Sequence, residues 1–187
     1  MTYNEYKELT TTTDIRNKTA TVNLRLMCSI CGILEEIEEL EDTTWDLIAN
    51  KVSNDLEEIE ELEDITWGLI VNKISNDINV LSECSDVLWY IASIAIETGI
   101  TMEELQIRKL PIDNKFTNPA KILKKTYRDF NGIMPDMYKQ QLWDYLAFIL
   151  QCILPAYVDV EQAMIYNIIK LQKRKENNTI QGDGDTR

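Results

Sequence analysis

Residues 34–55, LEEIEELEDTTWDLIANKVSND, are followed at once by residues 56–77, LEEIEELEDITWGLIVNKISND. The copies differ only at Thr43/Ile65, Asp46/Gly68, Ala49/Val71 and Val52/Ile74. A tandem copy of this kind constrains the fold, because the added unit must pack without scrambling the downstream helices. Apolar positions recur at intervals of three and four, as at Leu34, Ile37 and Leu40 and then Trp45, Ile48 and Val52, which is helical period. A unit of this length is close to six turns at about 3.6 residues per turn, so inserting it rotates the apolar stripe by only about 40°. The chain can take up the extra copy as added amphipathic helix. No stretch alternates convincingly with period two, proline is absent before Pro111, and few glycines interrupt the first hundred residues. The expected fold class is all-α.

The copies also hold the charge. Copy one has eight acids and one lysine, copy two seven acids and one lysine, and together they account for the whole formal net charge of −13. The chain is therefore a neutral protein with an acidic stripe, and it lacks the basic surface that nucleic-acid binding needs. Histidine is absent, which removes Ser-His and Cys-His catalysis. The length of 187 residues suits one domain or two small ones. No apolar run reaches the ~18 residues of a membrane span. The start, MTYNEYKELTTTT, has neither a basic nor an apolar signal region. A soluble cytoplasmic protein with no membrane partner is expected. Cys28 and Cys31 form one CxxC without a second pair or a histidine, a poor zinc set. These two thiols, with Cys84 and Cys152, are expected in the core, where free cysteine behaves as a small hydrophobe. A redox pair at Cys28 and Cys31 is the alternative.

Along the chain, a first helix is expected within 2–16 and a second from near Thr21 or Asn23 through copy one. Ser53-Asn54-Asp55 and Ser75-Asn76-Asp77 are both N-cap signals, so each is expected to open a new helix. The helix carrying LSECSDVLWYIASIAIE should stop at Thr98-Gly99, and Thr101 should cap a short one. Residues 111–119, PIDNKFTNP, read as a linker. Helices are expected at about 119–130, 136–154 and 159–175, before a polar tail at 176–187 that is expected to be disordered.

Glu58 and Glu61 stand three apart and so share a helical face, as do Glu36 and Glu39 in copy one and Glu83 and Asp86 in the next helix. Two such pairs facing each other across packed helices, ~8–10 Å apart, would make a four-carboxylate cluster with room for a divalent cation. Oxygen-only ligands suit Mg²⁺ or Mn²⁺. For LEEIEEL alone, a solvated acidic face is the plainer reading. Glu83 and Asp86 differ, because they precede the apolar run VLWYIASIAI, where a charge needs a partner or a metal.

With these residues in view, the chain resembles the all-α nucleoside triphosphate pyrophosphohydrolases of the MazG-like group. That group has a GxxxExxE run on one helix and ExxD on the next. Gly32-Ile-Leu-Glu-Glu36-Ile-Glu-Glu39 matches the first part and Glu83-Cys-Ser-Asp86-Val-Leu-Trp-Tyr-Ile-Ala the second. The opening segment and Gly99-Ile-Thr-Met-Glu-Glu-Leu are also similar to the family's helices, so the resemblance covers about residues 1–110. The duplication departs from the pattern. Residues 40–82 separate Glu39 from Glu83, more than the family allows, whereas residues 62–82 separate Glu61 from Glu83, within its range. On spacing, Glu58 and Glu61 are the expected ligands with Glu83 and Asp86, copy one lying one helix further out. Glu36 and Glu39 are the rival pair, and they keep the Gly32 context that copy two replaces with Asn54. The family's NxxKLxxR motif is broken after Lys109 by Pro111 and reappears as Asn167-Ile-Ile-Lys170-Leu-Gln-Lys-Arg174. Gln141 and Asp144 in QLWDYLAFIL weakly echo Glu83 and Asp86, so residues 119–175 read as a degenerate MazG-like half lending Lys170 and Arg174. The plainer alternative is the basic last turns of a helix.

The resemblance implies hydrolysis of a nucleoside triphosphate to monophosphate and pyrophosphate with Mg²⁺ or Mn²⁺. The carboxylates would hold the cation and one glutamate would act as base. Lys109, Lys170 and Arg174 would meet the phosphates, and Trp89, with Trp67 or Tyr90, would line the base pocket unless these rings are core. It also implies a homo-oligomer, a dimer or a tetramer. On this view the acids at Asp86 repel one another, so Asp86→Ala should leave the metal-free fold intact or firmer. The competing expectation is an inactive helical binding or assembly module whose acidic stripe faces a basic partner.

Overall fold

The computed structural model describes residues 2, 5–6, 22–55, 77–111, 116–130 and 133–177, with backbone alone at 22–23, 48–55 and 130. The described chain is helical, with no strand among these residues: α1 (Val22–Asp55), α2 (Ile78–Thr98), α3 (Met102–Ile107), α4 (Pro119–Phe130), α5 (Asp136–Phe148), α6 (Leu154–Tyr157) and α7 (Val160–Glu176). Most of the expected first helix (all but residues 2 and 5–6), most of copy two with Trp67, the middle of the linker and the tail beyond Asn177 lie outside the described residues.

Local chemistry sets the ends of these helices. Asp77 caps α2, its side chain accepting from the Asn79 amide at 2.8 Å, and Gly99 closes the helix in the left-handed conformation at φ 80. Thr101 and Glu104 form the reciprocal capping box of α3. Asp159 caps α7 through the Glu161 and Gln162 amides. Between α5 and α6 the backbone widens into a π-turn over Ile149–Ile153, next to Pro155, which has no N–H to return to the preceding turn. The Gln151 side chain donates from this turn to the Leu105 and Arg108 carbonyls. Of the two expected caps, Asp77 opens a helix, whereas Ser53-Asn54-Asp55 continue α1.

Helix α2 is the centre of the fold and packs against α1 and α7, while α4 packs against α1 and α5. Ile30, Ile33 and Leu40 of α1, Leu88, Ile91 and Ile94 of α2, and Leu142 and Leu146 of α5 are fully buried. Copy one therefore lies directly on the Glu83 helix, not one helix further out. A helix as long as α1, about 50 Å at 1.5 Å per residue, is longer than α2 and can pack along it.

The cysteines correct an expectation. Only Cys84 is buried; Cys28, Cys31 and Cys152 are exposed. The buried stripe of α1 runs through Leu26, Ile30 and Ile33, and at about 100° per residue Cys28 and Cys31 fall on its far side. No single helix among the described residues is long and apolar enough to cross a membrane.

A candidate cation centre between three helices

Helix α1 brings Glu36 and Glu39 to α2, and carboxylate oxygens of Glu36, Glu39 and Glu83 lie within 4.8 Å of one another. All three side chains are half-buried. Asp86, one turn along α2 from Glu83, is held by α7. Lys170 Nζ donates to Asp86 Oδ2 at 2.5 Å and to Ser82 Oγ at 3.0 Å. Asn167 Nδ2 donates to Asp86 Oδ1 at 3.3 Å and to Ser85 Oγ at 3.4 Å. Behind it, the Tyr6 hydroxyl donates to Asn167 Oδ1 at 3.0 Å. Tyr6, Asn167 and Ser85 are fully buried, so this polar chain is built into the core and joins the chain's start to its last helix.

The Tyr90 side chain of α2 packs over Gly32 of α1. A Cβ there would fall 2.2 Å from Cζ of Tyr90, so the tyrosine ring occupies the space that any other residue would need. Two residues ahead of copy two, the equivalent place is held by Asn54. Copy two could not take copy one's place without displacing Tyr90, which packs edge-on against Trp89 with ring centroids 4.9 Å apart. Gly32→Ala should push the Tyr90 ring aside. Overpacking costs about 1–3 kcal/mol and the helix gains back up to about 1 kcal/mol. We expect a net loss of about 1 kcal/mol, read as a lower unfolding midpoint with changed near-ultraviolet dichroism.

The electrostatics show a deficit of positive charge. The Glu36 carboxyl is pushed up to about 8, first by burial and then by the neighbouring charges of Asp86, Glu39 and Glu83, with Lys170 opposing them. Burial and the Asp86 charge also raise the Tyr6 hydroxyl well above its usual value. Folded Glu36 keeps a proton that the unfolded chain releases above about 4.5, so this group's contribution to stability is full below that pH and is lost as pH rises through about 8. The midpoint of the cation-free protein should fall across that window, and Glu36→Gln should flatten the fall.

The residues fit a divalent ion by donor chemistry: oxygen ligands only, in surplus over the nearby cation. Donor atoms that all lie within 4.8 Å of one another are close enough to converge on one such cation.

The expected residues divide accordingly. Glu36, Glu39, Glu83, Asp86 and Lys170 come together. Arg174 stands one turn beyond Lys170 on α7, half-buried, and Trp89 one turn beyond Asp86 on α2. Glu58 and Glu61 lie outside the described residues. Lys109 is exposed, just past α3 and so beyond the other end of α2, ~22 Å along the helix from Glu83 at 1.5 Å per residue. It lines a cleft of about 420 Å³ with Arg108, Gln140 and Trp143. There Asp144, the echo of Asp86, is paired with Arg108 at 2.6 Å. The polar chain of Ser82, Ser85, Tyr6 and Asn167 has no joint signal in the sequence, although Asn167 stands in the NxxK run. Comparison with protein-family models, curated proteins and solved structures finds no match.

Proposed function

We propose that the chain is a divalent-cation-dependent nucleoside triphosphate pyrophosphohydrolase of MazG-like type, acting through Glu36, Glu39, Glu83 and Asp86. One observation carries this reading: α7 delivers an amide and an ammonium, Asn167 and Lys170, to the edge of a carboxylate cluster supplied by α1 and α2. A solvated acidic face has no use for a buried asparagine and a half-buried lysine aimed into it. A polyphosphate complexed with a cation requires both signs of charge side by side.

Glu36, Glu39 and Glu83 would hold Mg²⁺ or Mn²⁺. The ion, when bound, supplies a bound water of lowered pKa and neutralises charge on the phosphates. Lys170 has a flexible stem and can turn its ammonium from Asp86 to a phosphate oxygen, with Arg174 a turn behind it. Asn167, fixed by Tyr6, keeps Asp86 in place while Lys170 moves. One of these three glutamates, through its carboxylate oxygen turned away from the ion, would take the proton of the attacking water. Trp89 and Tyr90 stand on the same helix as candidates for stacking on a base. On this reading residues 119–175 act as a degenerate second half whose own acid, Asp144, is engaged by Arg108. The protein works in the cytoplasm and pairs into dimers or dimers of dimers.

Incubating the protein with mixed deoxynucleoside triphosphates and Mg²⁺ should release pyrophosphate and monophosphates. Excess EDTA should stop the reaction and thiol reagents should leave it unchanged, because no cysteine lies in the acid cluster. Turnover that persists in EDTA would overturn the reading. Absence of any turnover with Mg²⁺ or Mn²⁺ would favour the binding module.

A further inference from the structure

The exposed cysteines are unaccounted for by the acid centre. Free cysteine is among the most buried of residue types, yet two stand on the outer face of α1 within one turn of each other. They sit in the stretch Met27-Cys28-Ser29-Ile30-Cys31. Cys28 and Cys31 are three apart and Met27 and Cys31 four apart, and both spacings make side-chain neighbours on a helix. Met27 is half-buried, so its thioether can reach the same patch. At about 100° per residue Cys31 stands between Met27 and Cys28, so three sulfur-bearing side chains lie along one side of α1, while the intervening Ser29 and Ile30 are buried on the core side.

The spacing argues against a disulfide. Cβ atoms one helical turn apart lie about 5–6 Å from each other, whereas a disulfide needs about 3.5–4.5 Å. Closing the bond would unwind a turn of α1. A bridging ion asks for no such closure, since sulfur ligands at about 2.3 Å span a wider gap. Two thiolates and a thioether, with no histidine anywhere in the chain, are too few for a tetrahedral zinc site. They are the soft donor set that selects monovalent copper.

We propose that Met27, Cys28 and Cys31 form a surface site for a soft, thiophilic monovalent cation of the Cu(I) class, independent of the carboxylate centre. Binding converts both thiols to thiolates with release of two protons, and no electron is transferred.

The test is a competition titration under anaerobic conditions. The reduced, metal-free chain is added to the coloured Cu(I)–bicinchoninate complex, and loss of colour reports transfer. One Cu(I) per chain should be withdrawn. Cys28→Ser and Cys31→Ser should each lose this transfer, Met27→Leu should weaken it, and Cys84→Ser and Cys152→Ser should leave it unchanged. Both replaced thiols of α1 are exposed, so the serine variants should keep the far-ultraviolet dichroism of the parent. Equal transfer by the Cys28→Ser/Cys31→Ser double variant, or loss of transfer on Cys152→Ser alone, would overturn the proposal. Glu39→Gln should not affect this titration, so its outcome is separate from that of the hydrolase reading.

Discussion

Asp86→Ala is expected to abolish hydrolysis and to lower the unfolding midpoint of the cation-free protein. The lower midpoint is the opposite of what repulsion among acids alone implies. Asp86 accepts from both Lys170 and Asn167, and its side chain and that of Lys170 are only 20% and 14% exposed. Removing the carboxylate leaves a largely buried ammonium and a fully buried amide without their common acceptor. Stranded donors cost about 1–3 kcal/mol each when nothing replaces their partner. Glu36 and Glu83 can turn toward Lys170 and recover part of this, so about 1–3 kcal/mol in total is expected. The measurement is thermal unfolding in EDTA. A midpoint equal to or above that of the parent would mean that mutual repulsion outweighs the Lys170 pair. Asp86→Asn separates the two effects, because it keeps an acceptor for Asn167 while removing the charge.

The helices are legible in the sequence because their signals are local. Thr101 and Glu104, Asp77, Gly99 and Asp159 each act within one turn, and each ends or starts a helix where its chemistry requires. The cap signal at Ser53-Asn54-Asp55 misleads because the same side chains are tolerated inside a continuing helix. Glu83, Asp86 and Lys170 are legible from residue type and spacing, whereas the partnership of α1 with α2 is not. Counting residues between acids favours copy two, since a shorter connection folds back more simply. Shape favours copy one: Tyr90 packs over Gly32, where the residue ahead of copy two, Asn54, carries a side chain. Connection length is a weak constraint beside a steric one, because each doubling of a loop costs only about 0.6 kcal/mol. Cys28 and Cys31 depart from expectation for a related reason. Residue type says buried, while the phase of Leu26, Ile30 and Ile33 places them outside. The chain from Tyr6 to Asp86 is illegible because its members are 80 residues and more apart in sequence, and hydrogen-bonding groups of that kind have no periodic signature.

Glu36→Gln and Glu39→Gln are expected to weaken divalent-cation binding and to remove activity, while Glu61→Gln leaves both. Each glutamine keeps the size and polarity of its glutamate but removes the charge that a hard cation needs. Losing an outer-shell partner of a metal ligand typically costs about 10–100-fold in affinity, and losing a ligand charge should cost at least as much. Glu36→Gln should also firm up the cation-free protein above neutral pH, because the parent loses the proton that burial and its neighbours hold on that carboxyl up to about 8. The most direct measurement is Mn²⁺ binding, followed by electron paramagnetic resonance of the free ion, for the parent, Glu39→Gln and Glu61→Gln. Copy one as the seat of the centre predicts a tight site in the parent, its loss in Glu39→Gln and its retention in Glu61→Gln. A site lost in Glu61→Gln and kept in Glu39→Gln would contradict it.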